Sequence, residues 1–168
     1  MGIHRARPSH EILSGDSADV YFIRASRILE REGLDPVVTM EVFAREDGIL
    51  CGIDEAKNLL GHVLAAADPD EVSVEALEDG DTFGSKEVVL RIRARYRQFG
   101  LYETAILGMM AQSTGWATAA RECVDAAAPE PVIMFGARHV HPDITDVLDY
   151  ASIVGGCVGC EADCGVQP

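Results

Sequence analysis

Basic residues are scarce in this sequence. Fourteen Lys and Arg face 28 Asp and Glu, for a formal net charge of −14 over 168 residues. A general nucleic-acid binder needs a basic surface to displace counterions from phosphate, so that class is excluded as a partner. From residue 101 onward the only bases are Arg121 and Arg138, against nine acids. A long apolar run is also missing: nothing approaches the roughly 20 residues of a membrane span. The first residues, MGIHRARPSHEILSGDS, carry charges but no apolar stretch of the secretory kind. A soluble, cytoplasmic protein with no membrane partner is the expectation.

Other absences remove whole chemistries. The segment GGCVG is not the dinucleotide fingerprint G-x-G-x-x-G, and no G-x-x-x-x-G-K-[ST] phosphate loop occurs. Ser152 lacks the context of a nucleophile elbow. The five cysteines, Cys51, Cys123, Cys157, Cys160 and Cys164, are odd in number and follow no secretion signal, so reduced thiols are expected rather than a disulfide framework.

What is present suffices for a packed core, with 48% apolar residues. The patterning predicts a helix within DSADVYFIRASRILEREGLD with Gly33 as its stop. Strands follow at PVVTMEVFARE and DGILCGI, then a helix at DEAKNLLGHVLAAA. A polar stretch with a short strand and an Asp-Gly turn leads to KEVVLRIRARYRQFG. There Leu90, Ile92, Ala94 and Tyr96 alternate with Arg91, Arg93, Arg95 and Arg97. The arginine stripe reads either as a phosphate or interface surface, or as a solvated strand face paired with local acids; the second is favoured. The segment 101–128 predicts a helix interrupted near Ser113 to Gly115 and ended by Pro129. A strand over about 131–136, a helix from Pro142 to a cap at Gly155, and a short strand at GGCVGC complete the chain. The first hundred residues therefore mix helices with antiparallel strands, while the last third forms a β-α-β unit of a parallel sheet or barrel. A boundary is expected near residue 103.

Two constellations in this last third carry chemistry. His139 and His141 are two apart, and Cys157, Cys160 and Cys164 add a C-x-x-C, so a Cys/His zinc site can be imagined. No second C-x-x-C supports it, and the cysteines lie in an apolar, Gly-rich segment typical of a buried strand, so no metal ligand is assigned. The other constellation is Phe135 and Arg138, three apart at the C-terminal end of a strand, where parallel barrels deliver their active-site side chains. An aromatic face beside a guanidinium suits a flat anionic ring, which stacks on the one and pairs with the other. The plainer alternative makes Phe135 a core residue and Arg138 a surface ion pair.

Several segments in order resemble a known family. DVYFIRASRIL, DGILCGIDEAKNLL, LEDGDTF with EVVLRIRARY, ETAILGMMAQSTGWATAA, and FGARHVHPDITDVLDYASIVGGCVGC are similar to nicotinate phosphoribosyltransferase, of the type II phosphoribosyltransferase group that also contains the quinolinate and nicotinamide enzymes. The resemblance covers about residues 12–160. It implies an α/β fold in two parts: an N-terminal α+β sandwich domain over 1–103, and the start of an irregular parallel α/β barrel over 104–168. It implies the joining of nicotinate to phosphoribosyl pyrophosphate, giving nicotinate mononucleotide and pyrophosphate, with magnesium (Mg2+) holding the pyrophosphate and ATP coupled in many members. By the same resemblance Phe135 stacks on the pyridine ring and Arg138 contacts its substituent or the phosphate. Tyr21 covers the other ring face from the partner subunit of a homodimer, and His139 is a weaker candidate for the same pocket. Thr104 and Ser113 match structural positions of the barrel's leading helix. The later barrel strands, with their ribose and phosphate ligands, have no counterpart, and the tail EADCGVQP leaves the family pattern. The expectation is a truncated chain, inactive alone and binding neither Mg2+ nor ATP through its own residues. The alternatives are a quinolinate phosphoribosyltransferase-like enzyme, for which a diacid calls for more bases than Arg121 and Arg138, and a non-enzymatic Cys/His metal-binding or scaffold module.

Overall fold

The computed structural model describes residues 8–161. A short helix α1 (His10–Leu13) leads to α2 (Val20–Arg31), β1 (Val37–Phe43), β2 (Gly48–Ile49) and α3 (Ile53–Val63). Then come β3 (Ser73–Ala76), β4 (Thr82–Phe83), β5 (Val88–Arg95), a single turn α4 (Tyr96–Phe99) and the long α5 (Glu103–Ala127). The last elements are β6 (Ile133–Met134), α6 (Thr145–Val154) and β7 (Gly159–Cys160).

The alternation in β5 decides the first half. Leu90, Ile92 and Ala94 are fully buried, and β5 is the central strand of the antiparallel order β1-β5-β3. Its inward face meets Ile53, Ala56, Leu59 and Leu60 of α3, together with Phe99, Ile106 and Met110, in one apolar core. On the outward face the register sets Arg91 opposite both Glu41 and Glu75, and the ion pairs close at 2.8 and 2.9 Å. Arg95 grips both carboxylate oxygens of Glu71 at 2.6 Å, and Arg97 reaches Glu30 at 3.2 Å. Three of the four arginines of the stripe thus pair with acids: Arg91 with carboxylates directly across on both neighbouring strands, Arg95 and Arg97 with acids outside the sheet, while Arg93 donates to the Glu71 carbonyl at 3.2 Å. Tyr96 departs from the expected alternation: the strand ends at Arg95 and Tyr96 opens the α4 turn.

The expected break in α5 does not occur; the helix runs unbroken through Ser113–Gly115. The small hydroxyl residues there serve a neighbour instead of interrupting their own helix. Thr114 Oγ1 accepts the Cys51 N–H and donates to the Cys51 carbonyl, both at 3.1 Å. One turn later Thr118 Oγ1 accepts the Ile49 N–H at 3.0 Å. Two threonines four apart thus satisfy buried backbone groups of β2 and of Cys51 just after it, which local propensity cannot reveal. Gly52, at φ +89°, makes the close approach possible, since a Cβ there would stand 2.5 Å from the Met109 carbonyl oxygen.

α5 also carries the last third. Its Ala117 packs with Ala151 of α6, and Gly155 abuts Ala117 and Ala120. β6 and β7 pair in parallel with α6 between them, the predicted β-α-β unit. Both strands are shorter than expected: β6 covers two residues of the predicted 131–136. Pro142 begins a 3-10 turn, Pro142–Ile144, that precedes α6. Gly155 sits at the C-cap as predicted, but with φ −67°, and the left-handed residue is Gly156. Cys51, Cys123 and Cys157 are free thiols, as expected. Cys160 is disulfide-bonded, contrary to the reduced set expected, and Cys164 and the tail 162–168 lie outside the described residues. Among the described residues no helix is long and apolar enough to cross a membrane.

Candidate functional site

The end of β6 is where the sequence-predicted residues gather. The strand stops at Met134, and a 3-10 turn, Ala137–His139, follows at once, closed by the His139 N–H on the Gly136 carbonyl at 2.9 Å. This sharp turn folds Arg138 back over Phe135. The guanidinium carbon stands 5.1 Å from the ring centroid, within cation–π range. Arg138 Nη2 also donates to Glu161 Oε1 at 3.1 Å, just beyond β7. Phe135 is 62% exposed, which removes the reading of this ring as core. Its aromatic face and the cation beside it are open to a ligand. His139 is exposed in the same turn.

His141 serves a different purpose. Its Nδ1 accepts the Asp143 N–H at 3.2 Å and caps the turn that leads into α6. Among the described residues no three His, Cys, Asp or Glu side chains form a group able to hold a metal.

Tyr21 lies elsewhere, in the first turn of α2. Its hydroxyl donates to Asp19 Oδ2 at 3.2 Å, and its ring leans on Phe22 with centroids 4.2 Å apart. Desolvation, reinforced by the Asp19 carboxylate, raises the phenol above its ordinary value, so it stays a neutral donor at physiological pH. Thr104 holds Asp19 from behind: its Oγ1 accepts the Asp19 N–H at 3.1 Å and donates to Oδ2 at 3.2 Å. Among the described residues no ring contact or hydrogen bond joins Tyr21 to Phe135 within one chain. The structure brings Arg138 against Phe135, sets His139 in the same turn as Arg138, and places Tyr21, 58% exposed, in α2 with Asp19 and Phe22.

Sequence reasoning assigned no role to two residues here. Asp19 orients Tyr21, and its signal was the Asp-x-Tyr spacing itself. Glu161 pairs with Arg138 from 23 positions away, for which the sequence carries no local signal.

An antiparallel sheet backed by helices is joined through one long helix to a β-α-β unit with an aromatic–guanidinium pair at its strand end, a mixed α/β fold. Residues 19–114 match the quinolinate phosphoribosyl transferase N-terminal domain, and the chain belongs to that family. The chain is similar to the crystal structure of nicotinate-nucleotide pyrophosphorylase from Pyrococcus furiosus, with 36% identity, a TM-score of 0.83, and coverage of 99% of this chain and 43% of that one. The Ehrlichia chaffeensis nicotinate-nucleotide pyrophosphorylase superposes with a TM-score of 0.72 at 22% identity over 97% of this chain and 56% of that one. Human nicotinic acid phosphoribosyltransferase gives 0.74 at 20% identity over 89% of this chain and 36% of that one, and these last two likenesses speak for the fold alone. The chain spans about half the length or less of these relatives.

Proposed function

We propose that this chain supplies the pyridine-facing part of a phosphoribosyltransferase site, in which a pyridine carboxylate is joined to the ribosyl group of phosphoribosyl pyrophosphate with release of pyrophosphate. The observation that carries this reading is the Arg138 guanidinium 5.1 Å from the centroid of the exposed Phe135 ring. The flat substrate stacks on Phe135, and its carboxylate takes the guanidinium now shared with Glu161. Holding the ring nitrogen still beside the ribose lowers the entropic part of the reaction's barrier. Tyr21, held by Asp19 and Thr104, closes the opposite ring face from a second copy of the chain, which implies a homodimer.

The family match and the 36% identical pyrophosphorylase favour quinolinate as the carboxylate, over the nicotinate specificity expected from the sequence. A diacid reaches nicotinate mononucleotide by shedding one carboxyl as carbon dioxide. Nicotinate is the second reading, and one observation favours it: Arg138 is the only Lys or Arg of the β-α-β unit, enough for one carboxylate. No step is assigned to magnesium or to ATP.

Ligand-observed NMR on the purified chain tests the proposal. Quinolinate is expected to show saturation transfer that is lost in Phe135→Ala and Arg138→Ala. Binding unchanged in both variants overturns the site, and nicotinate binding in preference to quinolinate transfers the assignment to the second reading. With Phe135 and Arg138 open to water, the 168-residue chain is expected to bind without turnover. Pyridine-dependent pyrophosphate release above background overturns that expectation.

A further inference from the structure

Two free cysteines that the proposed reaction does not use lie on neighbouring elements. Cys123 lies exposed on α5, while Cys157 is buried just past the end of α6. The backbone between α6 and β7 is pressed against α5. A Cβ on Gly155 would stand 2.6 Å from the Ala120 Cβ, and one on Gly156 would stand 3.4 Å from the Arg121 guanidinium. Residues 155 and 156 thus lie against Ala117, Ala120 and Arg121 of α5, the stretch just before Cys123, and Cys157 follows directly. The Cys157 N–H, bonded to the Ser152 carbonyl at 3.0 Å, fixes that residue in the turn. Burial raises the Cys157 thiol above its ordinary value, and the proximity of Cys123 raises it further.

We propose that Cys123 and Cys157 are a dithiol pair that oxidises reversibly to an intramolecular disulfide, fastening the α6–β7 turn to α5, with a low-molecular-weight disulfide as the oxidant. The accessible Cys123 thiolate attacks one sulfur of the small disulfide, forming a mixed disulfide and expelling one small thiolate. The Cys157 thiolate then attacks the Cys123 sulfur, the protein disulfide forms, and the second small thiolate leaves. Two protein thiols lose two electrons, and one small disulfide becomes two small thiols. Because the buried thiol must ionise for the second step, that step accelerates as pH rises.

The test uses the whole chain, reduced, desalted and treated with glutathione disulfide, then digested with trypsin without reductant. Cys123 falls in the peptide 122–138, whereas Cys157, Cys160 and Cys164 fall in 139–168. The expected result is a disulfide between these peptides that disappears in Cys123→Ser and in Cys157→Ser but persists in Cys160→Ser. An upward shift of the thermal midpoint, reversed by dithiothreitol, accompanies it. Cys123 found only as a glutathione adduct overturns the proposal, as does a cross-link that survives in Cys157→Ser. The exposed position of Cys123 keeps its serine variant folded, so the comparison does not depend on Cys157→Ser alone.

Discussion

Tyr150 donates its hydroxyl to Asp79 Oδ2 at 2.9 Å, and Asp79 Oδ1 accepts the Ile53 N–H at 2.9 Å. One carboxylate thereby caps the first turn of α3 and holds α6. Asp79→Ala removes a cap and a charge-assisted hydrogen bond and is expected to destabilise by about 2–3 kcal/mol. Tyr150→Phe keeps the cap and loses only the second bond, for about 1 kcal/mol. Urea unfolding of the two variants checks the difference. The Asp79 carboxyl is raised chiefly by burial, so the folded state holds its proton more tightly than the unfolded chain. The contribution of this group to stability is then full below the ordinary value of 3.8 and is lost as pH rises through the raised native value. Asp79→Asn should flatten that decline, measurable as urea midpoints across the acid range.

Gly52 and Gly155 are both places where α5 is approached too closely for a side chain. A Cβ on Gly155 would fall 2.6 Å from the Ala120 Cβ and would also strike the Ala117 carbonyl oxygen. Gly155→Ala is expected to cost about 1–3 kcal/mol through overpacking. Gly52→Ala meets the Met109 carbonyl oxygen and also carries φ +89°, so left-handed strain of about 1–2 kcal/mol is added to the clash. The larger loss should fall on Gly52→Ala in a thermal melt. Equal losses would assign no weight to the backbone conformation.

Much of this was legible in the sequence, and the reasons differ by element. β5 could be read residue by residue, because its period of two separates Leu90, Ile92 and Ala94 from the arginines whatever else happens. The β-α-β order of the last third was equally open, since Pro142, the early acids and the apolar stripe of α6 are local signals. The unbroken α5 was not legible: Thr114 and Thr118 disfavour a helix unless a β2 edge stands opposite them, and that partner is more than 60 residues away. The closeness of Phe135 and Arg138 was legible from their spacing at a strand end, whereas Glu161 was invisible because its pairing depends on how β7 lies beside β6.

Arg95 and Arg91 share a strand face but differ in geometry. Arg95 holds Glu71 with two bonds of 2.6 Å and also donates to the Asp35 carbonyl at 3.1 Å. Arg91 divides its guanidinium between two more exposed partners, Glu41 and Glu75. The bidentate fork should give a double-mutant coupling for Arg95 with Glu71 of about 1 kcal/mol, against a few tenths for Arg91 with Glu75. Both should shrink in 1 M salt, the part-buried Arg95 pair less than the Arg91 pair. Neither Arg91→Ala nor Arg95→Ala should alter quinolinate binding at Phe135 and Arg138, which ligand-observed NMR checks directly.

Glu161 competes with the proposed ligand for Arg138. The guanidinium donates to Glu161 Oε1 at 3.1 Å, and a substrate carboxylate on the Phe135 face would claim the same nitrogens. Breaking the pair before binding therefore weakens apparent affinity by what the pair is worth. The Arg138 side chain is 64% exposed, which places that worth at no more than about 1 kcal/mol, or roughly fivefold in a dissociation constant. Glu161→Gln removes the competing charge and is expected to tighten quinolinate binding by up to that factor. Arg138→Lys, which keeps the charge but loses the planar fork, should weaken it. The two substitutions move affinity in opposite directions only if Arg138 is the carboxylate partner. Weaker binding in Glu161→Gln would instead make Glu161 part of the pocket that receives the ligand.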